Sequence, residues 1–197
     1  MAYPTVAGPY GLVPVKLLSG VPYVGTVRHY GIASAYSTNI FNGDAVAIVT
    51  GGTVARDTAD AAMTPIGIFM GCSYTDPGSN QKVFKQYFPA STVASDIVAY
   101  VVDNPEVLFK VAIVSGTTTI GSMAITDIGA NGQLVDNTGS TTTGNSKVGL
   151  LETSATTNTF PVRIVELVEE TKNSSGGYTE ALVKWNAGHQ FNAVLGV

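Results

Sequence analysis

Apolar residues gather along the chain in short runs of strand length, punctuated by Gly, Pro, Asn and Asp. Leu12 to Leu18 reads as a first strand and Gly25 to Ser34 as a second. In the second, Thr26, Arg28 and Tyr30 alternate with Val27, His29 and Gly31, a pattern with one wet face. "NGDAVAIVTGGTVARD", Asn42 to Asp57, carries an unbroken apolar run from Ala45 to Val49, as in a strand covered on both faces. Gly51-Gly52 then supplies the positive φ of a tight hairpin turn. Thr64 to Thr75 is a further strand, and Gly67 inside it marks a bulge or a close backbone approach. Asp76 to Asn80 is a turn, and Gln81 to Phe88 an aromatic strand closed by Pro89.

Asp96 to Gly116 reads as a long hairpin turning at Asp103-Asn104-Pro105-Glu106. On its return limb Val107, Phe109, Val111 and Ile113 share one face. A helix over Ala94 to Val102 competes, and the β-branched residues there favour the strand. Gly116 to Gly149 is rich in Thr, Gly and Ser, with room for one short helix in Thr119 to Gly129 and a loop over Asp136 to Ser146. Strands follow at Lys147 to Leu151, Phe160 to Glu170 and Tyr178 to Trp185. The expected fold is all-β: antiparallel barrel- or sandwich-like sheets with long loops. Residues 1–11 form an extended arm, 12–187 the β-rich body and 188–197 an apolar, irregular tail. A faint echo between "NIFNGDAV…TPIGIFMG" and "DIGANGQLV…FPVRIVEL" suggests two related modules, about 12–115 and 116–187, and coincidence in a Gly-rich β sequence explains it as well.

Composition narrows the function classes. Charged residues are 12% of the chain against about 25% in an ordinary domain, which suggests a surface partly covered by partners. The net charge of -4 and the lack of any Lys/Arg cluster argue against direct binding of nucleic acid. A single cysteine, Cys72, cannot form an internal disulfide, and a reduced compartment is the simpler expectation. "MAYPTVAGPYGLVPVK" lacks the basic start and unbroken apolar stretch of a secretory signal, and no apolar run reaches membrane-spanning length.

Candidate chemistry is sparse. His29 and His189 are far apart in sequence and not at ligand spacing, so neither a metal nor any other cofactor is expected. Cys72 reads as a small buried hydrophobe; as a nucleophile it would need one of the two histidines as base. Asp44, Asp57, Asp60, Asp76, Asp96 and Asp103 mostly sit beside turn residues, where Asp accepts backbone N–H groups. Glu166, Glu169 and Glu170 read as a solvated strand end.

Taken together, "PYGLVPVKLLSG" (Pro9 to Gly20), "IFNGDAVAIV" (Ile40 to Val49), "TPIGIFMGCSYTDP" (Thr64 to Pro77), "KQYFPASTVASDIVAYVVDNPEVLFKV" (Lys85 to Val111) and "VKWNAGHQFN" (Val183 to Asn192) resemble virion structural proteins of tailed bacteriophages, especially marine and cyanobacterial ones. The resemblance implies a capsid decoration (cement) protein on the outer surface of the head, partnered by the major capsid protein and by itself as a trimer or dimer. It carries over no catalytic residue. Both ends of the chain are then expected at interfaces, through Tyr3, Pro4, Val6, Pro9, Tyr10, His189, Phe191 and Leu195. A tail or neck component, or a carbohydrate-binding virion module, is the alternative, and an enzyme the least favoured.

Overall fold

The computed structural model describes residues 6–58, 60–172, 176–186 and 188–191. The strands are β1 (Val13–Leu17), β2 (Arg28–Gly31), β3 (Ala45–Val49), β4 (Thr53–Arg56), β5 (Gly67–Thr75), β6 (Lys82–Lys85), β7 (Val98–Val102), β8 (Val107–Val114), β9 (Asn131–Val135), β10 (Gly149–Ala155), β11 (Val162–Leu167) and β12 (Glu180–Trp185). The described helical pieces are single turns: α1 (Glu169–Lys172) and 3-10 turns at Asp60–Ala62 and Ile125–Asp127. The fold is all-β, as the alternation and turn signals require.

The strands form two six-stranded sheets, and each closes on itself. In the first barrel β3, β4, β2, β7 and β5 make the ring, with β3 pairing back to β5. In the second, β8, β10, β9, β11 and β12 make the ring, with β12 pairing back to β8. A ring of five cannot alternate direction all the way round, so each contains one parallel pair: β2 with β4, and β8 with β10. The sixth strand of each sheet shares one edge of the longest strand. β6 takes Cys72 to Thr75 of β5 beyond β3, and β1 takes Val107 to Lys110 of β8 before β10.

Alternation decides which side chains fill which core. Val46, Val54, Phe69, Cys72, Tyr74, Phe88 and Val101 fill the first barrel. Val107, Phe109, Val111 and Ile113 face inward together with Leu134, Leu150, Ile164, Val183 and Trp185 in the second. Ala45, Met63, Ile68 and Val102 of the first barrel pack into this second cluster. β3 and β5 therefore have apolar residues on both faces where the barrels meet, which is why Ala45-Val46 and Ile68-Phe69 are consecutive apolar pairs. Coverage of β3 then fades toward Val49, which is exposed. Removing one large apolar side chain from water contributes about 1.5–3 kcal/mol, so this seam holds the barrels together.

Several expectations are corrected. Asp96 to Gly116 is not a hairpin: β7 and β8 lie in different sheets, and residues 103–106 carry the chain from one barrel to the next. The sheets thus part at 103–106, while β1 belongs with the later strands. Asn131–Val135, read as part of a Gly/Thr-rich connection, is β9. The strand expected at Lys147 to Leu151 runs Gly149–Ala155. In β2 it is Tyr30 that packs against the first core, while Arg28 and His29 are exposed. Gly67 behaves as expected: a Cβ there would lie 2.1 Å from the Val102 carbonyl oxygen. Gly51 and Gly52 have the positive φ of the turn, 104° and 77°.

Candidate functional site

The expected interface residues at the N-terminal end lie against their own chain. The Tyr178 N–H donates to the Val6 carbonyl at 3.1 Å, and the Gly11 and Leu12 N–H groups donate to Val148 and Gly43 carbonyls. Gly11 has φ +83°, and a Cβ there would strike Ser146 at 2.6 Å, so only glycine lets the segment lie this close. The Tyr10 hydroxyl donates to Glu180 Oε1, and Lys110 Nζ sits 3.2 Å from the same oxygen and 5.8 Å from the Tyr10 ring centroid. Glu180 is buried on β12, so the tyrosine hydroxyl and the lysine replace its lost water. Burial, and then the Glu180 hydrogen bond, raise the Tyr10 pKa well above the usual phenol range. Val6, Pro9 and Tyr10 are half-buried in this way. Tyr3, Pro4 and Leu195 lie outside the described residues.

At the other end His189 is fully buried within the chain, which removes it as a surface contact residue. Its ring lies 6.3 Å from Trp185 and 5.8 Å from Phe191, and burial lowers its pKa. Gln190 beside it grips β3 as a strand would. Its Oε1 accepts from the Ile48 N–H at 2.7 Å, and its Nε2 donates to the Ile48 carbonyl at 3.0 Å. Phe191 is exposed, with the Arg28 guanidinium 5.3 Å above its ring. The segment after β12 of the second barrel is thereby clamped to the first.

A buried ion cluster, not foreseen from sequence, also bridges the barrels. Arg56 at the end of β4 places Nε 3.0 Å from Asp44 Oδ2, and its Nη2 meets Asp136 Oδ1 and the Asn137 carbonyl just past β9. Asp44 is fully buried and accepts the Phe41 N–H at 2.8 Å. Burial pushes its pKa up to about 6, with Arg56 pulling the other way; Asp136 is raised for the same leading reason. Sequence reading placed Asp44 correctly as a turn acceptor. Its partnership with Arg56 follows from the β3–β4 register, which sets Arg56 opposite Val46, and the link on to Asp136 from the meeting of the two barrels. Asp76 also keeps a local turn role, accepting the Ser79 N–H, while Asp57 and Asp96 accept backbone N–H groups from more distant residues, Thr64 and Thr75.

The groups weighed for catalysis are separated by the fold. Cys72 is buried in the first core, its Sγ 3.7 Å from the Tyr87 carbonyl, and burial pushes its pKa up to about 12. A carbonyl partner takes no proton, so the thiol has no base in that contact. His29 is exposed on β2, edge-on to Tyr100 at 5.0 Å between ring centroids. Among the described residues no group of three His, Cys, Asp or Glu side chains could hold a metal ion.

Exposed apolar side chains are concentrated instead. Val13, Val15, Leu18, Val21 and Val24 follow one another along β1 and the segment after it. Beside them a cleft of about 110 Å³ is lined by Leu17, Val21, Pro22, Tyr23, Val24, Thr26 and Asn104. Phe84 on β6 is 73% exposed. Comparison with family models, with characterised proteins and with solved structures finds no match for the chain.

Proposed function

We propose that the chain is a structural protein of a phage particle, a decoration protein on the outer capsid lattice that stabilises the head by contact with the major capsid protein and with itself. The observation that carries this reading is the strip of exposed valine and leucine from Val13 to Val24, displayed by a barrel whose own core is already filled. Apolar side chains left in water by a rigid scaffold are what an interface uses, and a contact repeated around a lattice gains strength from repetition. The low charge and the sequence resemblance described above support the same reading. The barrels are stitched by apolar packing, the Arg56 cluster and the Gln190 clamp, which suits a part that bears load without changing shape.

Cryo-electron microscopy of purified particles, with copy number by quantitative mass spectrometry, tests it. Density at every local symmetry axis of the outer capsid is expected. Density confined to the tail or its vertex favours a tail or neck component, and absence from the particle overturns the proposal.

A further inference from the structure

The two barrels carry their sixth strands alike and finish them differently. The outer edge of β1 is covered by the chain itself: the Leu17 N–H donates to the Val21 carbonyl, and the Tyr23 N–H to that of Val15. Among the described residues no such segment pairs with β6, whose one strand partner is β5; residues 144–145 meet only the Gln86 side chain just past it. The Gln81 carbonyl accepts from Asp76 on the β5 side, and the Lys85 carbonyl lies against Gly71 of β5. By alternation the backbone groups of the odd-numbered residues face β5, and those of Lys82 and Phe84 face outward. The edge thus offers unpaired donors and acceptors beside an aromatic ring left in water.

We propose that β6 pairs antiparallel with β6 of a second copy of this chain about a two-fold axis through Phe84, joining the two six-stranded sheets edge to edge. The sequence of the edge selects this occupant. With Phe84 opposite Phe84, Lys82 stands opposite Gln86 and Val83 opposite Lys85, so no two lysines face each other. Lys82 is already balanced by Asp96, 2.8 Å away, and Lys85 Nζ sits 5.7 Å from the Tyr74 ring centroid. The lysines that usually guard an open edge are thereby drawn off it. In this register Phe84 exchanges two hydrogen bonds with its symmetry mate, and the two rings meet on the face that carries Ser73 and Tyr100. The inference goes beyond the particle reading and does not rest on it, because it is tested on the isolated chain.

The test is sedimentation velocity of the purified full-length chain over a concentration series, with two variants. Phe84→Pro removes an outward N–H and the ring while leaving the β5 ladder intact, and should weaken dimerisation at least about tenfold with an unchanged far-UV spectrum. Phe84→Cys should form a disulfide-linked dimer on mild oxidation. Directly opposed residues of a hydrogen-bonded pair lie about 5.5 Å apart at Cα, within disulfide range. Buried Cys72 does not compete. If Phe84→Pro does not fold, the cysteine variant decides alone. A monomer at every concentration overturns the proposal and leaves the edge to a strand from another protein. A native dimer that fails to crosslink through residue 84 overturns it in favour of a different face.

Discussion

Gly67→Ala adds one methyl group at the point where the first barrel hands the chain to the second. Its Cβ would lie 2.1 Å from the Val102 carbonyl oxygen, 2.8 Å from the Val102 carbonyl carbon and 2.9 Å from Asp103 Cα. All three are backbone atoms, so no side chain can swing aside. To restore ordinary contact, β7 must retreat from β5 by roughly an ångström, at the top of the usual overpacking cost of about 1–3 kcal/mol. The retreat falls on a two-sided strand. It strains the Ile68–Val102 pairing and shifts Ile68 and Val102, which both pack into the second core. An expected loss of about 3 kcal/mol corresponds to a fall in Tm of about 6–12 °C for a chain of this size. Urea unfolding followed by Trp185, the only tryptophan, measures it from the far side of the seam. Gly31→Ala is the control: its nearest contact is Thr53 Cγ2 at 3.7 Å and its φ is not positive, so it should stay within about 0.5 kcal/mol of the native chain. A Gly67→Ala protein as stable as Gly31→Ala would refute the claim that this glycine is held by backbone proximity.

The remaining predictions concern the buried polar ties. Asp44 has a folded pKa of about 6, above its unfolded value, so the folded state binds the proton more tightly and this group adds stability as pH falls from 7 toward 4. The gain amounts to at most about 3 kcal/mol. His189 is shifted downward and works the other way below its unfolded value near 6.5, so the test is the difference in Tm between the native chain and Asp44→Asn across that range. The difference should change steadily in favour of the native chain on acidification, and a flat difference counts against the assignment. Tyr10→Phe strips buried Glu180 of a charge-assisted hydrogen bond and should cost about 1.5–3 kcal/mol, with faster proteolytic nicking of the segment before β1. Gln190→Ala removes both bonds to Ile48 and should cost about 1–2 kcal/mol, read as faster hydrogen exchange at the Ile48 amide.

The strands were legible because each barrel needs one wet face, and alternation writes that face into the sequence. Val107, Phe109, Val111 and Ile113 point into one core as their spacing requires. The Asn42–Asp57 stretch is the hairpin of a small barrel, as its glycines demand. What stayed hidden is pairing between distant strands. Asp103-Asn104-Pro105-Glu106 has the composition of a hairpin turn, yet the same residues serve equally well as a crossover. Only the partners of β7 and β8 tell the two apart. β9 leaves little trace in the sequence because Asn131 and Gly132 are poor strand formers. A side chain at position 132 would meet Leu150 Cδ1 at 2.7 Å, so close packing rather than propensity sets the glycine there. The apolar ends predict outward contacts, and the described parts of both mostly lie on their own chain. Apolar character says that a segment needs cover and leaves open whose.

The same ambiguity bears on the odd strand number. In each ring of five the longest strand has a divided edge, since its neighbour there spans only part of it: β3 meets β5 at Gly67 and Ile68, and β10 meets β8 at Ile113 and Val114. The remainder of that edge carries hydrogen-bonding groups that need a partner, which is the physical reason each barrel has a sixth strand. Adding that strand moves the open edge outward by one position without removing it. On β1 the following turn comes back to cover the edge at Val15 and Leu17, and the hydrophobic side chains of that turn are left in water. On β6 no described segment returns to pair with the edge, and Phe84 is exposed. The two solutions put exposed apolar surface at two separate places, one on each barrel. A chain with two such surfaces can meet a copy of itself through one and a different protein through the other. Disrupting Phe84 should therefore change self-association and leave untouched any binding made through Val13 to Val24. Charged substitutions at Val21 and Val24 should do the reverse, and a single variant that abolishes both kinds of contact would refute their independence.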